Sequence, residues 1–232
     1  MRAKVGVSEI RTTYPYIISN LVYPLSLLFV ITILSQGSLL PYALAGGIVA
    51  IMAYNGITLA SAIAPMQTEY MYKDLIVATK TSPTDYMLGE MVAQYIWSMP
   101  AVAVYLFLYY YFHFLTLPIL SVTIMVVILV NLIASSIAFW MVGLIKVPNN
   151  MYAISTIIAF IMITVSPTFY PYTYLPHNLL LVMQILPTTS AAMLEQGVFG
   201  IAPMNWWPLV TLIAETIIFL LIARYATKWR ET

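Results

Sequence analysis

The chain has 232 residues, 62% of them hydrophobic and 7% charged, with a mean hydropathy of +0.92. A soluble domain normally carries about 25% charged residues, so this composition excludes a soluble globular protein and points to an integral membrane protein. The formal net charge of +1 says little, because in a membrane the placement of charge matters more than its sum; no nucleic-acid footprint is present, and the absence of cysteine removes disulfides and thiolate metal sites.

Residues 1–13 place Arg2, Lys4, Glu9 and Arg11 among Val5, Val7 and Ile10, the pattern of an interfacial helix leading into a bilayer. An apolar run follows from about Tyr14 to Leu34. A basic start ahead of apolar sequence, with Ala43-Leu44-Ala45 downstream, has the outline of a signal peptide. The run exceeds the usual apolar region of about 7–15 residues and further runs follow it, so it is read as a first span. Ser35-Gln36-Gly37-Ser38 then makes a tight outer turn, and a second span covers about Pro41 to Pro65.

The stretch Glu69 to Glu90 holds Glu69, Lys73, Asp74, Lys80, Asp85 and Glu90 between long apolar runs, and reads as a water-facing island. At 3.6 residues per turn Met71, Leu75 and Ala78 share one side, while Lys73, Asp74 and Lys80 lie largely elsewhere, which predicts a short amphipathic helix. Ser82-Pro83 stops it, and Thr84 or Asp85 is expected to cap the next helix. A short surface helix of mixed charge suits docking to a soluble partner; the plainer reading is a solvated loop.

A third span is expected over about Tyr86 to Phe112 and a fourth over about Pro118 to Ile145. Lys146-Val147-Pro148-Asn149-Asn150 forms a turn, and a fifth span covers about Met151 to Val165. A span needs about 20 apolar residues to cross about 30 Å of hydrocarbon. From Ser166 prolines break the pattern, leaving His177 to Leu186 and Thr188 to Phe199, each too short to cross; an outer re-entrant hairpin over 166–205 is expected. The last span runs from about Trp206 to Tyr225, with Trp206 and Trp207 as an aromatic anchor and Arg224, Lys228 and Arg230 beyond its other end. With six spans all nine Lys and Arg residues fall on one side, so both termini are predicted to be cytoplasmic.

The chemistry of catalysis is missing from the sequence. His113 and His177 both fall at the outer boundary, without a His-Glu-x-x-His helix or a carboxylate cluster to complete a metal site. There is no Gly-x-Ser-x-Gly elbow and no Gly-x-x-x-x-Gly-Lys-Ser/Thr loop to cradle a phosphate. Any ATP-driven work therefore needs another polypeptide. Within the spans, Glu215 lies near mid-membrane, where an ionised carboxylate costs several kcal/mol unless paired or hydrated. It reads as a pathway residue or as a neutral carboxyl locking helices together. Asn55, Gln94 and Asn131 read mainly as interhelical hydrogen-bonding groups, and Ala43-x-x-x-Gly47 and Ala134-x-x-x-Ala138 as close-packing faces. Tyr105, Tyr109, Tyr110 and Tyr111 cluster toward an outer interface, where aromatic belts form; a subset lining a path for sugars or flat amphiphiles is the alternative.

Taken together, six spans, an N-terminal interfacial helix, the charged helix ending in Thr81-Ser82-Pro83-Thr84-Asp85-Tyr86 and the outer Ser166-Pro167-x-x-Tyr170-Pro171 resemble the ABC-2 type exporter permeases. Leu175-Pro176 and Leu186-Pro187-Thr188-Thr189 are similar to that family's loop before the last span. Where many relatives carry a basic residue several positions after the Pro-Thr step, this chain has Glu195.

The resemblance implies a single all-α permease domain over 1–232, with a cytoplasmic coupling segment at 66–85 seating Glu69, Tyr72, Lys73, Asp74 and Leu75 on a separate ABC ATP-binding subunit. It implies a dimer with a second copy or a similar chain, embedded in lipid of the plasma membrane. ATP and Mg would belong to the partner ATPase, with no cofactor in this chain. Tyr170, Tyr174, Pro187, Glu195 and Glu215 are the expected pathway or gate residues, and a drug, a lipid-like molecule or a glycan the expected cargo. The competing expectations are an ion-coupled carrier or channel using Glu215, and a structural or receptor-like membrane subunit.

Overall fold

The computed structural model describes residues 18, 22, 24–68, 82–144 and 148–226. The predicted interfacial helix at 1–13 and the coupling residues Glu69, Tyr72, Lys73, Asp74 and Leu75 lie outside them. Among the described residues the secondary structure is helical: α1 (Pro24–Leu34), α2 (Leu40–Thr68), α3 (Pro83–Tyr111), α4 (Leu117–Leu144), α5 (Pro148–Val165), a 3-10 turn (Tyr172–Tyr174), α6 (His177–Met183), α7 (Pro187–Val198) and α8 (Trp207–Ala226). Four helices are long and apolar enough to cross a membrane, namely α2, α3, α4 and α8. The described parts of the expected first and fifth spans form shorter apolar helices, α1 and α5.

Local chemistry sets the ends of these helices. Ser82, not Thr84 or Asp85, caps α3. Its Oγ accepts from the Asp85 N–H at 3.1 Å, while Asp85 Oδ2 accepts from the Ser82 N–H at 3.2 Å. Pro83 then occupies the first turn, where a missing N–H leaves no bond unmade, so the proline that ends one segment opens the next. At the other end His113 takes a left-handed conformation (φ 60°), the Phe114 N–H reaches the Tyr109 carbonyl at 2.8 Å, and the His113 N–H reaches that of Tyr110 at 3.1 Å. This double closure is a Schellman motif. Gln36 (φ 51°) ends α1 in the same way, with Gly37 bonded back to Thr32 at 2.8 Å. His113 is thus a helix stop.

The core is organised on α2, which packs on α3, α4, α5 and α7, while α4 packs in turn on α7 and α8. Inside a bilayer the driving force for such packing is close approach and hydrogen bonding, because lipid is as apolar as leucine. Gly46 and Gly47 provide that approach. A Cβ on Gly46 would lie 1.6 Å from the Thr168 carbonyl oxygen, and one on Gly47 would lie 2.0 Å from the Tyr105 ring. One small-residue step therefore receives the 166–168 turn on one side and an aromatic ring on the other. Tyr105 and Tyr109, one helical turn apart, are fully buried and donate to the carbonyls of Pro24 (2.9 Å) and Leu44 (3.3 Å). Tyr110 and Tyr111 point outward, so only they suit an interfacial belt.

Polar residues tie the long helices together as expected. Asn55 Nδ2 donates to Ser98 Oγ at 3.0 Å between α2 and α3, and Asn131 Nδ2 donates to the Met91 carbonyl at 3.2 Å between α4 and α3. Gln94 is buried nearby, its own Nε2 unpartnered among the described residues.

Gly46→Ala should destabilise the protein by about 1–3 kcal/mol or more, because backbone rather than a mobile side chain must yield. Gly89→Ala, with nothing within 4 Å of the added carbon, should stabilise α3 by roughly 0.5–1 kcal/mol. Thermal unfolding of both variants in one detergent measures the contrast, and equal effects would remove the notch from the packing.

Candidate functional site

The arrangement that stands out is a short helix enclosed by long ones. α7 has 12 residues, and those from Pro187 to Gly197 are all buried. At 1.5 Å per residue it reaches about 18 Å, well short of about 30 Å of hydrocarbon. Its sequence is nevertheless polar for a buried helix, and its side chains face the irregular turn that follows α5.

The hydroxyls form a directed chain. Thr189 Oγ1 donates to Ser166 Oγ at 3.0 Å, and Ser166 and Thr188 share a bond of 2.6 Å. Thr188 Oγ1 gives its own proton to the Met162 carbonyl at 2.6 Å, so Ser166 must be the donor to Thr188. Thr168 Oγ1 donates to the Ile163 carbonyl, and the Tyr170 hydroxyl to that of Val165 at 2.7 Å. Three carbonyls of the last turn of α5 are thereby satisfied by side chains.

Gln196 closes the other end. Its Oε1 accepts from the Tyr172 N–H at 3.1 Å, and its Nε2 donates to the carbonyls of Pro167 (2.7 Å) and Tyr170 (3.0 Å). The Tyr172 hydroxyl reaches the Pro203 carbonyl at 2.7 Å, and the Tyr42 hydroxyl that of Ile201 at 2.8 Å, fastening the loop after α7 to both the turn and α2. Ser190 and Thr211, 2.8 Å apart, join α7 to α8.

Glu195, one residue before Gln196, faces α4. It has no exposed surface; Oε2 accepts from Thr123 Oγ1 at 3.0 Å, and Oε1 has no partner among the described residues. Burial raises its carboxyl from the ordinary 4.5 to about 8, with the Thr123 bond pulling the other way.

Of the expected pathway residues, Pro187 and Glu195 sit on α7, and Tyr170 is bonded to it through Gln196. Tyr174 is 76% exposed and outside the network. Glu215 is half-buried on α8, one turn beyond the Thr211 contact, with Oε2 unpartnered among the described residues. Gln196 went unnoticed in the sequence, although its spacing of seven from Thr189 places both on one face of a helix. Among the described residues no cluster of His, Asp or Glu could hold a metal. The hydroxyls of Thr188, Thr168 and Tyr170 end on backbone carbonyls, whereas that of Thr123 ends on the Glu195 carboxyl.

Residues 6–194 match the model of the family described as ABC-2 type transporter. No curated protein matches the chain.

Two variants test this site. Gln196→Leu strands two carbonyls and an N–H and should lower stability by about 3 kcal/mol or more, since each stranded buried group costs about 1–3 kcal/mol; a loss under about 1 kcal/mol would show that water replaces the amide. Glu195→Gln probes the carboxyl. The folded chain holds this proton up to about 8, whereas the unfolded carboxyl releases it near 4.5. Stability should therefore fall as pH rises between those values, because the folded state binds more protons there. Thermal unfolding against pH should show a flatter profile in the variant; an identical slope would mean that Glu195 titrates as an exposed group.

Proposed function

The chain belongs to the ABC-2 type transporter family, and from that premise we propose that it is the membrane permease of an ATP-driven exporter, powered by a separate ATP-binding subunit. The observation that carries this reading is the family match over 6–194, which takes in α1 to α5, the charged 69–81 connection and most of α7. A multi-pass permease has no phosphate-cradling loop in this sequence, so the energy must arrive from outside it.

In this reading the connection between α2 and α3 is the coupling helix. Glu69, Tyr72, Lys73, Asp74 and Leu75 seat on the ATPase, which holds ATP and Mg, while α1 to α5 and α8 cross the plasma membrane with both termini cytoplasmic. Two permease copies, or this chain and a similar one, pair to form the pathway, and the 166–205 segment enters the outer leaflet and gates it. Tyr170, Pro187 and Glu195 act in that gate through the α7 network, and Glu215 faces the neighbouring helices on α8. Cargo is a drug, a lipid-like molecule or a glycan. Transport by the chain alone in ATP-free liposomes would replace this reading with an ion-coupled carrier using Glu215.

The variant Lys73→Glu, Asp74→Lys, Leu75→Ala reverses the charges and removes the apolar contact of the coupling helix. It should leave the permease inserted and monodisperse but reduce co-purification of the ATPase, and ATP hydrolysis by the reconstituted pair, at least tenfold (~1.4 kcal/mol of binding). Unchanged association would take the ATPase off this segment.

A further inference from the structure

Away from α7, the antiparallel helices α3 and α4 touch through the Tyr86–Phe139 ring pair and the Asn131–Met91 hydrogen bond. Between them lies a cavity of about 250 Å³, walled by Leu88, Met91, Val92 and Tyr95 of α3 and by Ile128 and Asn131 of α4. Leu88, Val92 and Ile128 form its exposed edge at 43%, 56% and 42%. In a chain that crosses a bilayer this edge meets lipid.

Its depth follows from helix geometry. Met91 stands twenty residues before Tyr111 and Asn131 fourteen after Leu117, which at 1.5 Å per residue is about 30 Å and about 21 Å from the turn joining the two helices. The cavity therefore belongs to the leaflet remote from that turn, toward the start of α3. Its volume lies below the roughly 300–1,000 Å³ of sites for drug-sized ligands, so a compact polycyclic molecule is too large and a single narrow chain fits.

The wall carries no charge, but it carries one unfinished hydrogen bond. Asn131 is 3% exposed; Nδ2 is committed to the Met91 carbonyl at 3.2 Å, and Oδ1 has no partner among the described residues. A buried acceptor left unpaired is costly, and lipid offers it no donor. A ligand hydroxyl or amide N–H would supply one.

We propose that this cleft binds one aliphatic chain of an uncharged amphiphile entering sideways from that leaflet, with a hydroxyl or amide N–H at the head of the chain donating to Asn131 Oδ1. The apolar wall accepts the methylenes and the lone amide oxygen selects the head. A charged head would be stranded without a counter-charge, so anionic and cationic amphiphiles are disfavoured there. The site shares no residue with the α7 network, and the inference rests on the membrane-embedded fold without requiring an ATPase.

The test uses the full chain in lipid nanodiscs and two photoreactive probes, a long-chain alcohol with a diazirine along its chain and the matched hydrocarbon lacking the hydroxyl. After irradiation, peptide mapping by mass spectrometry should find the alcohol on residues 88–95 and 128–132, about three- to tenfold more than the hydrocarbon, as one hydrogen bond of ordinary strength allows. That comparison is made in the unaltered chain and so does not depend on any variant folding. Ile128→Trp, at the exposed edge, should fill the cleft and lower labelling by both probes, whereas Ile124→Trp, one turn away, should not. Asn131→Leu should abolish the preference for the alcohol and leave hydrocarbon labelling in place. Equal capture of the two probes, labelling spread evenly over the exposed faces of α3, α4 and α8, or indifference to Ile128→Trp would each overturn the proposal.

Discussion

The constraint on which this structure depends is the satisfaction of backbone groups where water is scarce. A helix meets it internally except at its ends, where four carbonyls or four N–H groups are left over. The chain beyond Val165 leaves α5, turns through Pro167, Pro171 and Pro176, and returns as α7, without a sheet or a continuous helix to absorb its polar atoms. Side chains do so instead. Thr188, Thr168 and Tyr170 cover three carbonyls at the end of α5, and the single amide of Gln196 covers two carbonyls and one N–H in the turn. Only a primary amide carries two donors and an acceptor in one rigid plane, which is why neither glutamate nor lysine would serve at this position.

This network has a mechanical consequence. α5, the 166–174 turn and α7 are joined by bonds that terminate on backbone, and separating them would strand several buried groups at once, each costing about 1–3 kcal/mol. They must therefore move as one body. The Gly46 notch holds that body against α2 at backbone distance, and α8 is attached through the Ser190–Thr211 contact alone among the described side-chain hydrogen bonds to α7. Packed cores of this kind switch between discrete arrangements and do not deform continuously. If the outer segment gates a pathway, the gate is the rigid unit shifting against α4 and α8. Glu195 sits on the surface where that shift would occur, bonded to Thr123 of α4.

Much of this was legible in the sequence because membranes impose simple rules. Apolar length and the proline pattern located the helices and the broken 166–205 segment, and the Ser-Pro step at 82–83 located the start of α3. The cap lies two or three residues before Thr84 or Asp85 because a proline that terminates a helix from one side is also the preferred first residue of the next, a choice that the Ser82–Asp85 pair decides. Composition suggests a belt for the whole tyrosine cluster because it does not record helical phase; the one-turn spacing of Tyr105 and Tyr109 sends them inward while Tyr110 and Tyr111 face out. Gln196 was invisible for a different reason. Its partners lie 24 to 29 residues earlier, and no local pattern predicts which turn will fold back beside it.

The polar residues inside the bundle fall into two kinds, and the division says where function is to be sought. Asn55 and Gln196 spend their named hydrogen bonds within the fold, and a side chain so occupied specifies register and rigidity. Glu195, Gln94, Asn131 and Glu215 are buried or half-buried with an atom left over among the described residues. Selection for stability alone would replace such groups with apolar residues of the same shape, a change that is often neutral or stabilising. An unfinished donor or acceptor in an apolar interior persists more readily where something outside the resting fold completes it, as the proposed head group does for Asn131. The leftover atoms lie on the margins of the rigid unit and between the more loosely joined helices, which is where a transporter must open.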